Sequence, residues 1–374
     1  MCSKQATPSP LSNALWQQTF RRKLLAWFRR KKRTLPWRLT RDPYRIWLSE
    51  IMLQQTQVVT VIPYYERFLA RFPTLKLLAA ADEADVLRMW EGLGYYRRAR
   101  QLHAAAQHVV LEHGGTFPRT FEEIRSLPGV GRYTAGAIAS IAYGLRTPIL
   151  EANTVRLYSR LLAYRGDPTG GEGQKLLWDF AEEILPASNV GDMNQALMEL
   201  GSLICTPRNP RCEACPVRPH CPTYMSDLQD VIPTPKKKQN FESVREAAMV
   251  VRRAGNVLLR QRPHGERWAG LWDFVRFPVL TRGGKELVEE LRKKIHDQTG
   301  VLAKPGKRIT TIKHGVTRFR ITLECYDAAY VSGSSNEHDG AKLAWIPPEE
   351  LGKYPLSVTG RKLAHMLQAA DVPL

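Results

Sequence analysis

No apolar run in the 374-residue sequence is long enough to cross a bilayer. Met1–Asn13 is polar and proline-containing and lacks the apolar centre of a secretory signal, so a cytoplasmic protein that inserts in no membrane is expected. There is no internal repeat, which sets aside a repeat array. Acidic residues are scarce beside basic ones, 36 Asp and Glu against 55 Lys and Arg, for a formal net charge of +19. Both halves of the chain share that excess, which points to a polyanionic partner, nucleic acid first. Cysteine is sparse too: two of the six, Cys2 and Cys325, stand alone. The other four crowd together as Cys205, Cys212, Cys215 and Cys221. In a chain of this kind disulfides are disfavoured and metal ligation is the better reading; four thiolates suit zinc or an iron–sulfur cluster, and spacing alone does not separate them.

The length exceeds what one core usually organises, roughly 250–300 residues, so two domains are expected. Residues 1–226 read as helical, 227–243 as a Pro- and Lys-rich linker, and 244–374 as a smaller α/β domain. Trp16–Arg33 carries Trp16, Phe20, Leu24 and Phe28 every fourth residue, the spacing of an amphipathic helix. Pro43 opens the next helix, where a missing N–H does no harm. Glu50 sits on that helix among apolar neighbours. Such a carboxylate is either turned to solvent, the commoner case and the expectation from sequence alone, or buried with a raised pKa that fits it for general acid work. Gln54 and Gln55 follow in an uncharged polar stretch suited to base edges. In Trp90–Arg100 two glycines, Tyr95, Tyr96 and three arginines form a pattern suited to unstacking and holding nucleic acid. After the linker come β-like runs at 247–251, 257–259, 319–325 and 343–346, with one helix at 285–299 between them.

The sequence pivots on Leu127–Ala137. Pro128 stops a helix, Gly129 and Gly131 supply a turn that a Cβ would resist, and a thin-faced helix begins at about Tyr133. Such a helix start offers N–H donors to a phosphate oxygen. Glu151 falls just beyond this hairpin, with Asn153 expected to cap the helix that follows. Glu50 and Glu151 then form a carboxylate pair of the kind that cleaves glycosidic bonds. Arg208 and Arg211, on the loop between the first two clustered cysteines, are candidate phosphate contacts.

Taken together, Trp47–Gln57, Gly92–Tyr96, Leu127–Gly131, Asn194–Gly201 and the four cysteines resemble the MutY-type adenine DNA glycosylases of the endonuclease III superfamily. The resemblance implies a multidomain α and β protein: an all-α helix-hairpin-helix glycosylase region with a [4Fe–4S] cluster on Cys205, Cys212, Cys215 and Cys221, followed by an α/β Nudix-like domain. It implies excision of adenine mispaired with 8-oxoguanine or guanine in double-stranded DNA, by a monomer. Glu50 matches the general acid. Glu151 stands where the family has Asp in an Asp-Gly-Asn step, here Glu151-Ala152-Asn153. Arg38 and Gln195 match positions lining the adenine pocket, and Gln55 and Tyr95 match residues that insert at the lesion. Tyr133 occupies the place of the catalytic lysine of lyase members, which implies base removal without efficient strand cleavage. The lesion-reading segment matches His314-Gly315-Val316-Thr317-Arg318, where Thr317 keeps the hydroxyl of the family's Phe-Ser-His pattern. The helix at 293–300 has Lys and Gln at acidic positions that a metal-dependent Nudix hydrolase needs, so a binding role is expected for that domain. Two alternatives stay open at this point: a lesion-binding protein without turnover, because of Glu151, or a relative acting on thymine opposite guanine.

Overall fold

The computed structural model describes residues 13–234, 241–333 and 336–370. Met1–Ser12, with Cys2 among them, Pro235 and the linker lysines Lys236–Lys238 lie outside the described residues. The chain forms two compact units. One is built from the chain up to Ala80 and from Gln101 to the linker; the other takes Ala81–Arg100 together with everything after the linker.

The described elements of the first unit are helical. Helices α1 (Ala14–Lys31), α2 (Pro43–Leu53), α3 (Val58–Arg71) and α4 (Leu75–Ala79) precede α5 (Glu83–Trp90) of the second unit. Next come α6 (Arg97–His113), α7 (Phe121–Ser126), α8 (Arg132–Tyr143), α9 (Ala152–Leu161), α10 (Gly171–Glu183), α11 (Val190–Leu203) and the short α12 (Pro222–Met225). The four-residue spacing read in α1 is that of its buried face: Phe20, Leu24 and Phe28 pack with Leu157, Phe180, Leu197 and Leu200. Asn13 caps this helix by accepting from Trp16 N at 3.0 Å.

Two local expectations change. Gly131 has φ −91° and open space where a Cβ would stand, so a side chain would meet nothing there. Gly129 alone needs to be glycine in this turn, with φ +75° and a notional Cβ 2.7 Å from Gln101 Cβ. Asn153 is not the cap of α9. Glu151 is: its carboxylate accepts from Asn153 N at 2.9 Å and Thr154 N at 3.0 Å, and Thr154 Oγ1 accepts from Glu151 N in return.

In the second unit, β1 (Glu242–Arg253), β2 (Asn256–Gln261), β3 (Trp272–Pro278), β4 (Leu302–Val316), β5 (Phe319–Ser332), β6 (Glu337–His338) and β7 (Ala341–Ile346) form a sheet in the order β4-β5-β1-β3-β2-β7-β6. Strand β1 runs parallel to β5, and the other adjacent pairs are antiparallel. Helix α13 (Gly284–Thr299) covers one face through Leu287, Leu291 and Ile295, while α14 (Val358–Ala370) covers the other through Leu363, Ala364 and Leu367. That explains the uninterrupted apolar run Ala247–Val251. Ala247, Met249 and Val251 face α13, Ala248 and Val250 face α14, and the alternation vanishes because both faces are dry.

Candidate active site

Helix α2 is apolar nearly all round, so Glu50 is carried inward and only 5% of it is exposed. The solvent-facing expectation for this residue is therefore overturned. Glu50 lines a cavity of about 750 Å³ in the helical unit, together with Tyr133, Glu151, Asn153, Gln195 and Arg38. The two carboxylates paired from sequence thus meet in one chamber.

Burial raises the Glu50 carboxyl to about 7; the hydrogen bond from Tyr133 works against that rise, and the charge of Glu151 adds to it. Tyr133, at the start of α8, donates its hydroxyl to Glu50 Oε2 at 2.7 Å and lies 3.3 Å from Met198 Sδ. Burial also raises Glu151, opposed by its bonds to the Asn153 and Thr154 amides. One oxygen of Glu151 accepts from both Asn153 N and Asn153 Nδ2, the latter at 3.2 Å, and the other from Thr154 N. The Glu151 side chain folds back over its own helix start, where the helix dipole favours a negative charge.

Arg156 extends this network. It donates to Asn153 Oδ1 at 2.9 Å, to Gly201 O at 2.8 Å and to Cys205 O at 2.7 Å. Side chains behind Glu151 therefore run without interruption to the first clustered cysteine.

The cavity also contains groups that the sequence reading passed over. Glu199, fully buried on α11, binds Arg33 through 3.0 and 2.6 Å contacts and Arg38 through 3.1 and 2.9 Å contacts. Burial alone would raise its pKa, yet the two guanidinium groups outweigh burial and hold it at about 2. Arg38 is thus fixed in the cavity wall, through a partner not foreseen. Trp37 and Met198 belong to the apolar part of the wall. Glu199 lies within the Asn194–Gly201 motif, but a lone Glu on a helix carries no mark of its partners. Arg33 closes a basic run that reads as a solvated tail.

Outside the cavity, Gln54 donates to Thr134 Oγ1 at 3.4 Å, and Gln55 is exposed with φ +56°. Gly129 and Gly131 lead into α8, whose start has no side-chain cap and no acid in its first turn, as an anion site requires. Arg208 and Arg211 are exposed, but Arg211 commits its guanidinium to Leu203 O at the end of α11. In the second unit Tyr95 and Tyr96 part company: Tyr96 is core, while Tyr95 is 49% exposed with φ +49°. Thr317, exposed in the β4–β5 turn with φ +50°, donates to the neighbouring Val316 O. Tyr95 and Thr317 line a common pocket with Trp268 and His314.

The four clustered cysteines line one cavity of the helical unit together with Arg160, Ile204 and Val217. Burial pushes the Cys215 thiol up to about 12 and Cys221 up to about 11, so thiolates there need a cationic centre to hold them. Arg160 donates to Cys205 Sγ at 3.3 Å and ties Thr206, Gln229 and Ile232 to the same place. Donor set and surroundings fit a thiolate-ligated cluster.

Residues 48–183 match the HhH-GPD superfamily of base excision DNA repair proteins, 205–221 the iron-sulfur binding domain of endonuclease III, and 247–366 the NUDIX domain. The adenine DNA glycosylase of Rattus norvegicus is 35% identical over 92% of this chain and 77% of its own length. That of Homo sapiens is 33% identical over 93% and 74%. The chain belongs to the adenine DNA glycosylase family. A thermostable thymine-DNA glycosylase superposes with a TM-score of 0.52 at 31% identity, covering 56% of this chain and 97% of its own. As a member of the family, the chain holds an iron–sulfur cluster on the 205–221 segment, which decides between the two metals that spacing left open.

Proposed function

We propose that this chain excises adenine lying opposite 8-oxoguanine or guanine in double-stranded DNA, as a monomer that hydrolyses the N-glycosidic bond without efficient strand cleavage. The observation that carries the reading is Glu50, a carboxyl raised to about 7 in a cavity it shares with Glu151. The names of the relatives, adenine DNA glycosylases, supply the base.

In this mechanism the mispaired adenine is turned out of the helix into the cavity, at a cost of a few kcal/mol that is lowest at a mispair. Gln55 and Tyr95 fill the space it leaves, and the amides at Gly129–Gly131 hold the backbone. Arg38 and Gln195 line the pocket around the base. Protonated Glu50 passes its proton to the purine, so that the base departs neutral; general acid catalysis of this kind is worth ~10²–10⁴-fold. Glu151 is held at the N-terminus of α9 with its charge toward the chamber, where it stabilises the positive charge that develops on the deoxyribose. Water then adds at the anomeric carbon. Tyr133 offers a phenol where a lyase needs an amine, so no Schiff base forms.

Cys205, Cys212, Cys215 and Cys221 hold the cluster, which we read as [4Fe–4S]; when bound, it pins the loops after α11. The reading places the chain in the cytoplasm, beside the nucleoid whose DNA it would act on. The test is direct. The chain is incubated with duplexes carrying adenine opposite 8-oxoguanine, adenine opposite guanine, or thymine opposite guanine, and strands are resolved before and after alkali. Alkali-dependent breaks at adenine alone are expected. Breaks at thymine, or none, refute the reading.

A further inference from the structure

The second unit contains one stretch that does not follow the order of the chain. Ala81–Arg100 lies in sequence between helices of the catalytic region but is folded into the unit of the NUDIX-matching domain. Both ends of its terminal loop are fastened there. At the near end, Glu91 takes two bonds from Arg361 of α14, Nε to Oε1 at 2.6 Å and Nη2 to Oε2 at 2.9 Å. It also accepts from Leu356 N at 3.3 Å. Arg361 is fully used: its remaining bonds go to Leu351 O at 2.9 Å and Tyr354 O at 2.7 Å. At the far end, Arg100 donates to Ala269 O. Gly270 comes so close that a Cβ there would stand 3.2 Å from both Glu83 and Leu87 of α5.

Between these two fixings lies the turn that presents Tyr95. Gly92, Gly94 and Tyr95 all have positive φ, which for a tyrosine costs energy and persists only where the surroundings over-determine it. Trp90 Nε1 donates to Gly94 O at 3.2 Å, and the Arg98 guanidinium lies 5.4 Å from the ring centres of both Trp90 and Tyr95. The turn and the β4–β5 hairpin then face one pocket of about 440 Å³, with Tyr95 and Arg97 on one side and Trp268, His314, Thr317 and Lys362 among the rest of its lining.

We propose that Glu91 and Arg361 act as a positioning latch. The pair holds the Tyr95 turn against the pocket that carries Thr317, so that the wedge and the hairpin meet the base opposite the excised adenine as one rigid element. This rests on the function proposed above. A bidentate guanidinium–carboxylate pair fixes direction as well as distance, which a single-point tether does not. The latch therefore sets discrimination between opposing bases, while Glu50 sets the chemistry in the other unit.

The test uses the full chain and its R361Q, R361K, E91Q and E91Q/R361Q variants. Adenine excision is measured from duplexes with 8-oxoguanine or guanine opposite. R361Q is expected to lower the ratio of kcat/KM for the two duplexes by roughly tenfold, within the range usual for coupled sites. Its single-turnover rate at saturating enzyme on the adenine–guanine duplex stays within about twofold of wild type. R361K recovers part of the ratio, having the charge without the fork. The double variant loses no more than either single one. An unchanged ratio, or an equal loss on both duplexes, overturns the latch.

Hydrogen exchange on the wild-type chain gives a second reading that needs no variant to fold. Amides of 92–97 and 351–361 should gain protection together when the 8-oxoguanine duplex binds; protection of one stretch without the other overturns the latch. A wild-type chain that excises adenine from neither duplex sinks the proposed function and the latch with it. A discriminating wild type beside an equally discriminating R361Q sinks the latch alone.

Discussion

The Tyr133 hydroxyl donates to Glu50 Oε2 across 2.7 Å, joining the start of the hairpin helix to the carboxyl that burial has raised to about 7. A phenol can donate to either protonation state of a carboxyl, but the bond is stronger to the charged one. Tyr133 therefore restrains a pKa that burial alone would carry higher, and it aims the carboxyl into the cavity.

The first consequence concerns pH. Glu50 must be protonated to act, so excision should be strongest below about pH 7 and fall through that value as the proton is lost. Replacing Glu50 by Gln should remove activity by ~10²–10⁴-fold in single-turnover assays. The same change should stabilise the protein. A carboxyl whose folded pKa lies above its ordinary 4.5 loses folding free energy as pH rises from 4.5 through 7, on the order of 3 kcal/mol when complete. E50Q should therefore melt above wild type at pH 8, with the gap closing at pH 4.

Tyr133→Phe removes the bond that favours the ionised carboxyl. The alkaline limb of the pH–rate profile should then move to higher pH. The plateau rate should drop roughly tenfold or more, matching a lost charged hydrogen bond of ~1.5–3 kcal/mol. A limb that stayed in place would remove Tyr133 from its tie to Glu50.

Glu151 accepts three hydrogen bonds from its own helix start, and the amide of a Gln at that position can still accept one from Thr154 N. Glu151→Gln should therefore fold, bind duplex and turn over ~10²–10³-fold more slowly, the loss usual when a charge facing a developing charge is deleted. Full activity in E151Q would place the stabilising charge elsewhere. Turnover by the wild type is the outcome that removes the reading of a lesion binder without catalysis.

The contrast between Glu50 and Glu199 explains how much of this site could be read from residues alone. Motif order brought Glu50, Glu151, Tyr133 and Gln195 to one place, because each lies in a short segment whose type and spacing are distinctive. Burial of Glu50 was not legible, since an acid among apolar residues on one helix does not say which neighbours close over it. Glu199 was missed because its partners Arg33 and Arg38 lie more than 160 residues away in sequence. In the C-terminal part, the runs at 247–251, 257–259, 319–325 and 343–346 fall in β1, β2, β5 and β7. Strands β3 and β4 were passed over because their runs are broken by charges such as Asp273, Arg276, Lys304 and Arg308. Arg276 is paired inside the fold with Glu246 at 2.5 Å, an arrangement visible only once β1 and β3 are side by side.

Glu199 itself carries a stability prediction. Its carboxyl is held at about 2 by Arg33 and Arg38, against an ordinary 4.5, so the stabilisation is complete above pH 4.5 and is lost as pH falls through 2. Glu199→Ala should cost ~3–5 kcal/mol at neutral pH by leaving Arg38 charged and unpaired in the cavity wall. Much of that cost should disappear in E199A/R38M, where the charge is removed as well. A thermal melt of E199A equal to wild type would show that the two arginines find water instead.

The last prediction turns on Arg160, whose guanidinium reaches Cys205 Sγ, Thr206 O, Gln229 O and Ile232 O from one buried position. Those partners are the first two residues of the cysteine segment and two residues that follow it, so Arg160 ties the start of the segment to the chain beyond it, while the cluster would hold its centre. Removing iron with a chelator under reducing conditions, or replacing Cys215 by Ser, should abolish the visible thiolate-to-iron absorption and loosen 204–232. Hydrogen exchange should then rise there first, and in α9 beside it, because Arg156 links Cys205 O to Asn153. The strands around β1 share no core with this segment and should keep their protection. Iron analysis of the intact chain should give about four atoms per chain, as a Cys₄-ligated [4Fe–4S] cluster requires. A single zinc, or unchanged exchange in 204–232 after iron loss, would mean that the loops hold their shape without the cluster.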